Sequence, residues 1–223
     1  MPSLLELLGF ATGAACVWLL VKASIWNWPV AIANNLFYLV VFWRAGLFAD
    51  SGLQLFYLAI SIYGWWHWLR GGPRHGHLTI SRLRLAEGIP LALATAALCW
   101  GLAALLDRFT PSNVPVWDAT TTGLSLAAQY LQARKVIETW WVWIAADVIY
   151  IGLYLFKDLY LTAFFYAIFI AMCWAGLRAW RVTLDAAVPA APAPLAAPGL
   201  ENPPGLVQRG IPAGERSPGK TGE

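Results

Sequence analysis

Residues 24–43 read SIWNWPVAIANNLFYLVVFW, and residues 136–155 read VIETWWVWIAADVIYIGLYL. Each is an apolar run of about 20 residues opened by tryptophan, long enough as a helix to cross a ~30 Å hydrocarbon core. A shift of 112 positions lays one over the other without a gap, pairing Ile25 with Ile137, Trp28 with Trp140, Val30 with Val142, Asn35 with Asp147 and Tyr38 with Tyr150. The polar positions keep register with the apolar ones, so the likeness is more than shared greasiness.

Working outward, the same shift carries Glu6 onto Asp118, Ala15 onto Ala127, Trp18 onto Tyr130, Lys22 onto Arg134 and Leu47 onto Leu159. After a gap of about three residues, Phe56, Tyr57 and Trp65 fall on Phe165, Tyr166 and Trp174. Apolar stretches recur along the chain at about 4–21, 26–43, 47–69, 89–106, 115–133, 140–156 and 159–180. The expected fold is therefore an all-α integral membrane protein of seven transmembrane helices in a 3+1+3 plan. Repeat one covers about 4–69, a linker helix about 87–106, and repeat two about 115–180. Corresponding helices lie four crossings apart and run the same way, which makes the repeats parallel. Parallel repeats of this kind build SWEET-like proteins and the halves of major-facilitator carriers, and they place a substrate site between the repeats near the midplane.

Composition agrees, with 59% hydrophobic and only 12% charged residues, well outside the range of a soluble domain. The ten-residue alternation of a membrane β-barrel strand is absent, so helices are the consistent choice. The first stretch has no basic leader and carries Glu6 in its opening turns, so it is expected to remain as a helix and not to be cleaved. Cytoplasmic loops of membrane proteins concentrate Lys and Arg. With the N-terminus outside, all but Arg44, Arg108 and Lys157 of the 15 basic residues fall on the inner side. That distribution predicts an N-out, C-in protein. Residues 1–181 form the transporter domain on this reading, and 182–223, rich in Pro, Ala and Gly, form a disordered cytoplasmic tail.

Polar side chains inside spans are costly and turn toward the bundle interior. Asn34, Asn35, Gln54, Thr120, Thr121, Thr122, Ser125, Gln129 and Asp147 are such positions. Asn35 and Asp147 are repeat equivalents and are expected at matching depths on opposite walls of one cavity. The alternative is that the amides only bond neighbouring helices. The chain also holds 14 tryptophans. Trp65, Trp66, Trp68 and Trp180 sit at span ends, where an aromatic belt is expected. Trp28, Trp140, Trp141 and Trp143 precede the polar positions, with Trp140 and Trp143 three apart on one helical face. Aromatic faces beside amides suit a flat heterocycle, and they attract a ring cation.

Other chemistries lack their residues. Cys16, Cys99 and Cys173 have no paired spacing and no redox or metal role is assigned. His67, His75 and His77 cluster at the end of the third span and its loop, where a solvated role is expected. No HExxH, GxSxG or phosphate-cradling glycine loop is present, so no cofactor, metal or ATP-driven step is expected. A net charge of +3 is explained by the loop bias and gives no case for nucleic acid.

At WNWPVAIANNLFYLVVFWRAGLFADSGLQLFYLAISIYGWW, residues 26–66, and TTTGLSLAAQYLQARKVIETWWVWIAADVIYIGLYLFKDLYLTAFFYAIF, residues 120–169, the chain closely resembles the PnuC family of nicotinamide riboside transporters. The resemblance covers about half the chain, including the basic pair Arg134 and Lys135 and the WxxW of Trp140 and Trp143. It implies a SWEET-related fold in the bacterial inner membrane, a homotrimer, and facilitated uptake of nicotinamide riboside, an NAD precursor that a cytoplasmic kinase then traps by phosphorylation. It also implies a substrate site at Trp28, Asn34, Asn35, Tyr38, Gln54, Gln129, Trp140, Trp143, Asp147 and Tyr150. Aromatics would stack on the ring, while amides and hydroxyls would bind ribose and carboxamide. The family also includes carriers of thiamine, riboflavin and deoxynucleosides, and these remain alternatives. A membrane-embedded enzyme or a structural membrane protein is the competing class, and no convergent acid, base or metal set supports an enzyme.

Overall fold

The structure is a computed structural model and describes residues 4–44, 46, 48–110 and 114–187. Seven α-helices make up most of it: α1 (Leu4–Val21), α2 (Asn27–Arg44), α3 (Phe48–Arg70), α4 (Leu85–Phe109), α5 (Pro115–Ala133), α6 (Thr139–Phe156) and α7 (Tyr160–Ala186). They follow the apolar stretches in order and nearly in length. Pro115 opens α5, where the missing N–H costs nothing. α7 runs past the boundary expected at Arg181, because no helix breaker intervenes before Pro189. The rest of the Pro/Ala-rich tail, 188–223, lies outside the described residues.

α2 packs on α3 and α6 on α7. α1 touches α2 and α7, while α5 touches α3, α4 and α6. α4 lies to one side with none of its residues buried, presenting Leu85, Ile89, Leu93 and Trp100 outward. A helix with so much apolar surface exposed needs a hydrocarbon solvent. Among the described residues, α4, α6 and α7 are long and apolar enough to cross a membrane by length and composition.

A cluster of buried apolar residues lies at the end of the bundle where α1 turns into α2 and α5 into α6. Trp28, Trp68, Trp140 and Trp180, with Leu20, Ile137 and Leu177, form its core. Trp68 and Trp180 were expected in an aromatic belt, yet they are 2% and 1% exposed, and this is a correction. Each is fixed by a buried hydrogen bond across the bundle. The Trp68 Nε1–H donates to the Gln132 carbonyl (3.0 Å), and the Trp180 Nε1–H donates to the Leu20 carbonyl (3.0 Å). Trp28 meets Trp68 edge-on at 5.4 Å, and Trp140 meets Trp180 edge-on at 5.3 Å.

Each of these contacts recurs 112 positions later. A Cβ on Gly64 would lie 2.6 Å from the Trp28 ring atoms Cζ2 and Cζ3, and one on Gly176 would lie 2.7 Å from Trp140 Cε2. Only hydrogen at these two positions lets α3 and α7 approach the indoles so closely. The turns repeat as well. Ala23 and Lys135 both take left-handed backbone, with φ of 49° and 56°. The N–H groups of Ser24 and Val136 close the two turns onto Leu19 and Leu131 carbonyls at 2.9 and 3.0 Å. In α3 and α7 the register is 112 throughout, pairing Ser61 with Cys173, Gly64 with Gly176 and Trp68 with Trp180. The three-residue gap expected from Phe56, Tyr57 and Trp65 is absent. A slip of nearly one helical turn lays aromatic on aromatic again, so side-chain type alone could not distinguish the two registers.

The loop after α3 closes this end as a strap. Leu78 N–H donates to the Trp68 carbonyl (3.0 Å), Ser81 N–H to the Lys135 carbonyl (3.1 Å) and Ile137 N–H to the Ser81 carbonyl (2.9 Å). Glu138 accepts from Leu83 N–H at 2.8 Å. The Lys135 ammonium donates to the Leu78 carbonyl at 2.9 Å and rests 4.4 Å from the centre of the Trp68 ring. Burial lowers its pKa from the ordinary lysine value, and the carbonyl and ring face offset part of that cost.

Candidate functional site

Above the tryptophan core lies a cavity of about 440 Å³ among α1, α2, α3, α5, α6 and α7, within the size range of small-molecule sites. α6 supplies Trp140, Trp143, Asp147 and Tyr150 at spacings of three and four, so one helical face carries all four inward. α2 presents Ala31, Asn35 and Tyr38 in the same way. Under the 112-residue shift these become Trp143, Asp147 and Tyr150. Likewise Gly13, Val17 and Leu20 of α1 become Ser125, Gln129 and Gln132 of α5, and all six line the cavity.

Of the ten residues singled out from sequence, nine line this one cavity: Asn34, Asn35, Tyr38, Gln54, Gln129, Trp140, Trp143, Asp147 and Tyr150. Trp28 does not. Its ring is wholly buried between Gly64 and Trp68, so it supports the floor and does not form the wall. Trp140, 112 positions on, is equally buried yet reaches the cavity from α6.

The polar groups on the wall are held. Asn35 Nδ2 donates to Ser61 Oγ at 3.3 Å, and the Thr12 hydroxyl donates to Asn34 Oδ1 at 3.0 Å. Trp143 Nε1–H donates to Gln132 Oε1 at 3.3 Å, joining two side chains that line the cavity. The Cys173 thiol donates to Asp147 Oδ2 at 3.9 Å. Among the described residues none that lines the cavity is Lys, Arg or His, and Asp147 is its one carboxylate. Asn27 Nδ2 and Trp140 Nε1, both buried at the tryptophan end of the cavity, have no hydrogen-bond partner.

Tyr57, Tyr166, Phe169 and Gln132 also line the cavity but were not singled out. Tyr166 stands 4.8 Å from Tyr150 and 5.2 Å from Tyr154, ring centre to ring centre. The signal for Tyr57 was present in the sequence, since it lies three residues beyond Gln54 on one helical face. On the other side of Tyr38, Tyr166 and Phe169 a second space of about 590 Å³ lies at the α6–α7 turn, bounded by Asp158 and Tyr160. The tryptophan core walls the cavity at the other end. Among the described residues, no group of three or more His, Cys, Asp or Glu side chains could hold a metal ion.

The sequence profile described as "nicotinamide mononucleotide transporter" matches residues 3–182. The chain belongs to this transporter family. It is 26% identical to the nicotinamide riboside transporter PnuC of Escherichia coli, over 80% of this chain and 85% of that one. It is also 26% identical to the riboflavin/roseoflavin transporter RibM of Streptomyces davaonensis, over 78% of this chain and 83% of that one. The crystal structure of the vitamin B3 transporter PnuC superposes with a TM-score of 0.62 at 20% identity, covering 80% of each chain, which establishes a common fold. As a member of the transporter family with apolar outward-facing helices, the chain is a membrane protein.

Proposed function

We propose that this member of the nicotinamide mononucleotide transporter family carries nicotinamide riboside across the bacterial inner membrane by facilitated diffusion. The observation that carries the reading is the cavity itself. Indole and phenol faces, amides and one carboxylate surround it, with no lysine or arginine among the lining residues. Such a wall accepts a flat ring with hydrogen-bonding edges and offers a phosphate no cationic partner. The unphosphorylated nucleoside fits better than its phosphate ester. Phosphorylation by a cytoplasmic kinase would then trap what enters, and the family relatives, being transporters, point away from an enzyme.

The recurrence of contacts at 112 residues supports a 3+1+3 arrangement of parallel repeats, with α4 as the linker. On that arrangement the two three-helix units rock about the cavity. The positive-inside bias supports an N-out, C-in orientation, in which the tryptophan end faces the cytoplasm and the α6–α7 turn faces outside. A homotrimer, with the Pro/Ala-rich tail in the cytoplasm, completes the reading.

The relation to RibM, at the same identity as that to PnuC, favours riboflavin as the second reading. Counterflow in proteoliposomes decides between them. Vesicles loaded with unlabelled nicotinamide riboside should accumulate the labelled nucleoside without any ion gradient. Counterflow of labelled riboflavin in riboflavin-loaded vesicles, with none of nicotinamide riboside in its own, would replace the cargo, and a requirement for a proton gradient would overturn facilitated diffusion.

A further inference from the structure

Two positions related by the 112-residue shift face the same cavity with different chemistry. Asn35 is neutral, and its amide is bonded to the Ser61 hydroxyl at 3.3 Å. Asp147 is its counterpart, and the residue opposite it, Cys173, offers a thiol at 3.9 Å. A thiol is a weak donor. Asp147 is buried, and among the described residues no Lys, Arg or His lines the cavity. A carboxylate withdrawn from water in this way is short of positive charge.

We infer that Asp147 is the counter-ion that makes the cavity select a monocationic ring over a neutral ring of the same shape. The inference rests on the vitamin-carrier reading and narrows it. Asp147 sits one helical turn from both Trp143 and Tyr150 on the inner face of α6. A flat cation lying against those rings is therefore within reach of the carboxylate. Cation–π attraction alone would act on either wall, whereas the carboxylate stands on α6 only. The pyridinium of nicotinamide riboside meets this requirement. Its reduced dihydro form has nearly the same outline and no charge, and the isoalloxazine of riboflavin is neutral. A proton could also neutralise Asp147, and the two nicotinamide forms would then bind alike.

The test is calorimetric titration of purified full-length protein with nicotinamide riboside and with its dihydro form. Wild type should prefer the cation by at least about tenfold, equivalent to 1.4 kcal/mol. In Asp147→Asn, which keeps the size and an acceptor for Cys173, the preference should fall to within about threefold. Asn35→Asp, which adds a second carboxylate to the opposite wall, should widen it. Equal binding of both forms by wild type, or an undiminished preference in Asp147→Asn, would overturn the assignment. Failure of the nicotinamide reading is distinguishable, since neither form would then bind and thiamine, a second monocationic ring, takes their place. Thiamine bound by wild type and lost in Asp147→Asn would uphold the counter-ion, and riboflavin bound alone would overturn it.

Discussion

Replacing Gly176 with Ala puts a methyl group where the Trp140 indole lies. The added Cβ would stand 2.7 Å from Trp140 Cε2 and closer still to Cη2 and Cζ2, against an ordinary carbon separation of about 3.5–4.0 Å. The ring has to move by roughly 1 Å. Trp140 is wholly buried and braced edge-on by Trp180 at 5.3 Å, so its free direction is into the cavity. Overpacking of this kind costs up to about 3 kcal/mol, and alanine recovers about 1 kcal/mol of helix propensity over glycine. The net destabilisation is about 2 kcal/mol. Gly64→Ala meets Trp28 in the same way and should cost a similar amount, but Trp28 does not line the cavity. Thermal melting of both variants in detergent, with nicotinamide riboside titrations alongside, separates the two effects. Both should melt lower than wild type, and only Gly176→Ala should also bind more weakly. In the double variant Gly176→Ala/Trp140→Phe the smaller ring should relieve the clash, giving non-additivity above about 0.5 kcal/mol. Melting temperatures at or above wild type in both glycine variants would refute the packing.

Other consequences are as direct. Trp68→Phe and Trp180→Phe each remove one buried hydrogen bond, to the carbonyls of Gln132 and Leu20, which keep their turn bonds from the N–H groups of Lys135 and Ala23. Each lost bond should cost about 0.5–1.5 kcal/mol in chemical or thermal unfolding, while Trp66→Phe, on an exposed site, should cost little. Lys135→Met removes the bond to Leu78 and the charge over Trp68. It should loosen the strap and raise tryptic cleavage at the exposed Arg74 and Arg82 severalfold, and an unchanged cleavage rate would contradict the clamp. Asn35→Ala and Trp143→Ala should abolish uptake in proteoliposomes while leaving membrane insertion and yield intact. Full uptake in both would remove the cavity from the transport path.

The sequence carried the helices well because the apolar runs end at charges, prolines and short polar turns that a bilayer enforces. Nine of the ten residues singled out share one cavity because polar groups in apolar helices have few places to go. Packing between helices was less legible. Trp68 and Trp180 sit near charged span ends, as belt tryptophans do, and hydropathy along one helix does not reveal whether lipid or a neighbouring helix meets the ring. The strap was written in a polar, Gly-rich stretch whose bonds run mostly through backbone atoms, and these leave no residue signature. Gly64 and Gly176 became informative only once the indoles opposite them were placed.

Binding of nicotinamide riboside in the aromatic cavity can be read from intrinsic tryptophan fluorescence during titration of the purified protein. Trp140 and Trp143 line the cavity, so the nucleoside should quench emission saturably in wild type, with a reduced amplitude in Trp143→Phe. Emission that stays unchanged with nicotinamide riboside but saturates with riboflavin would show that the cavity takes the flavin instead.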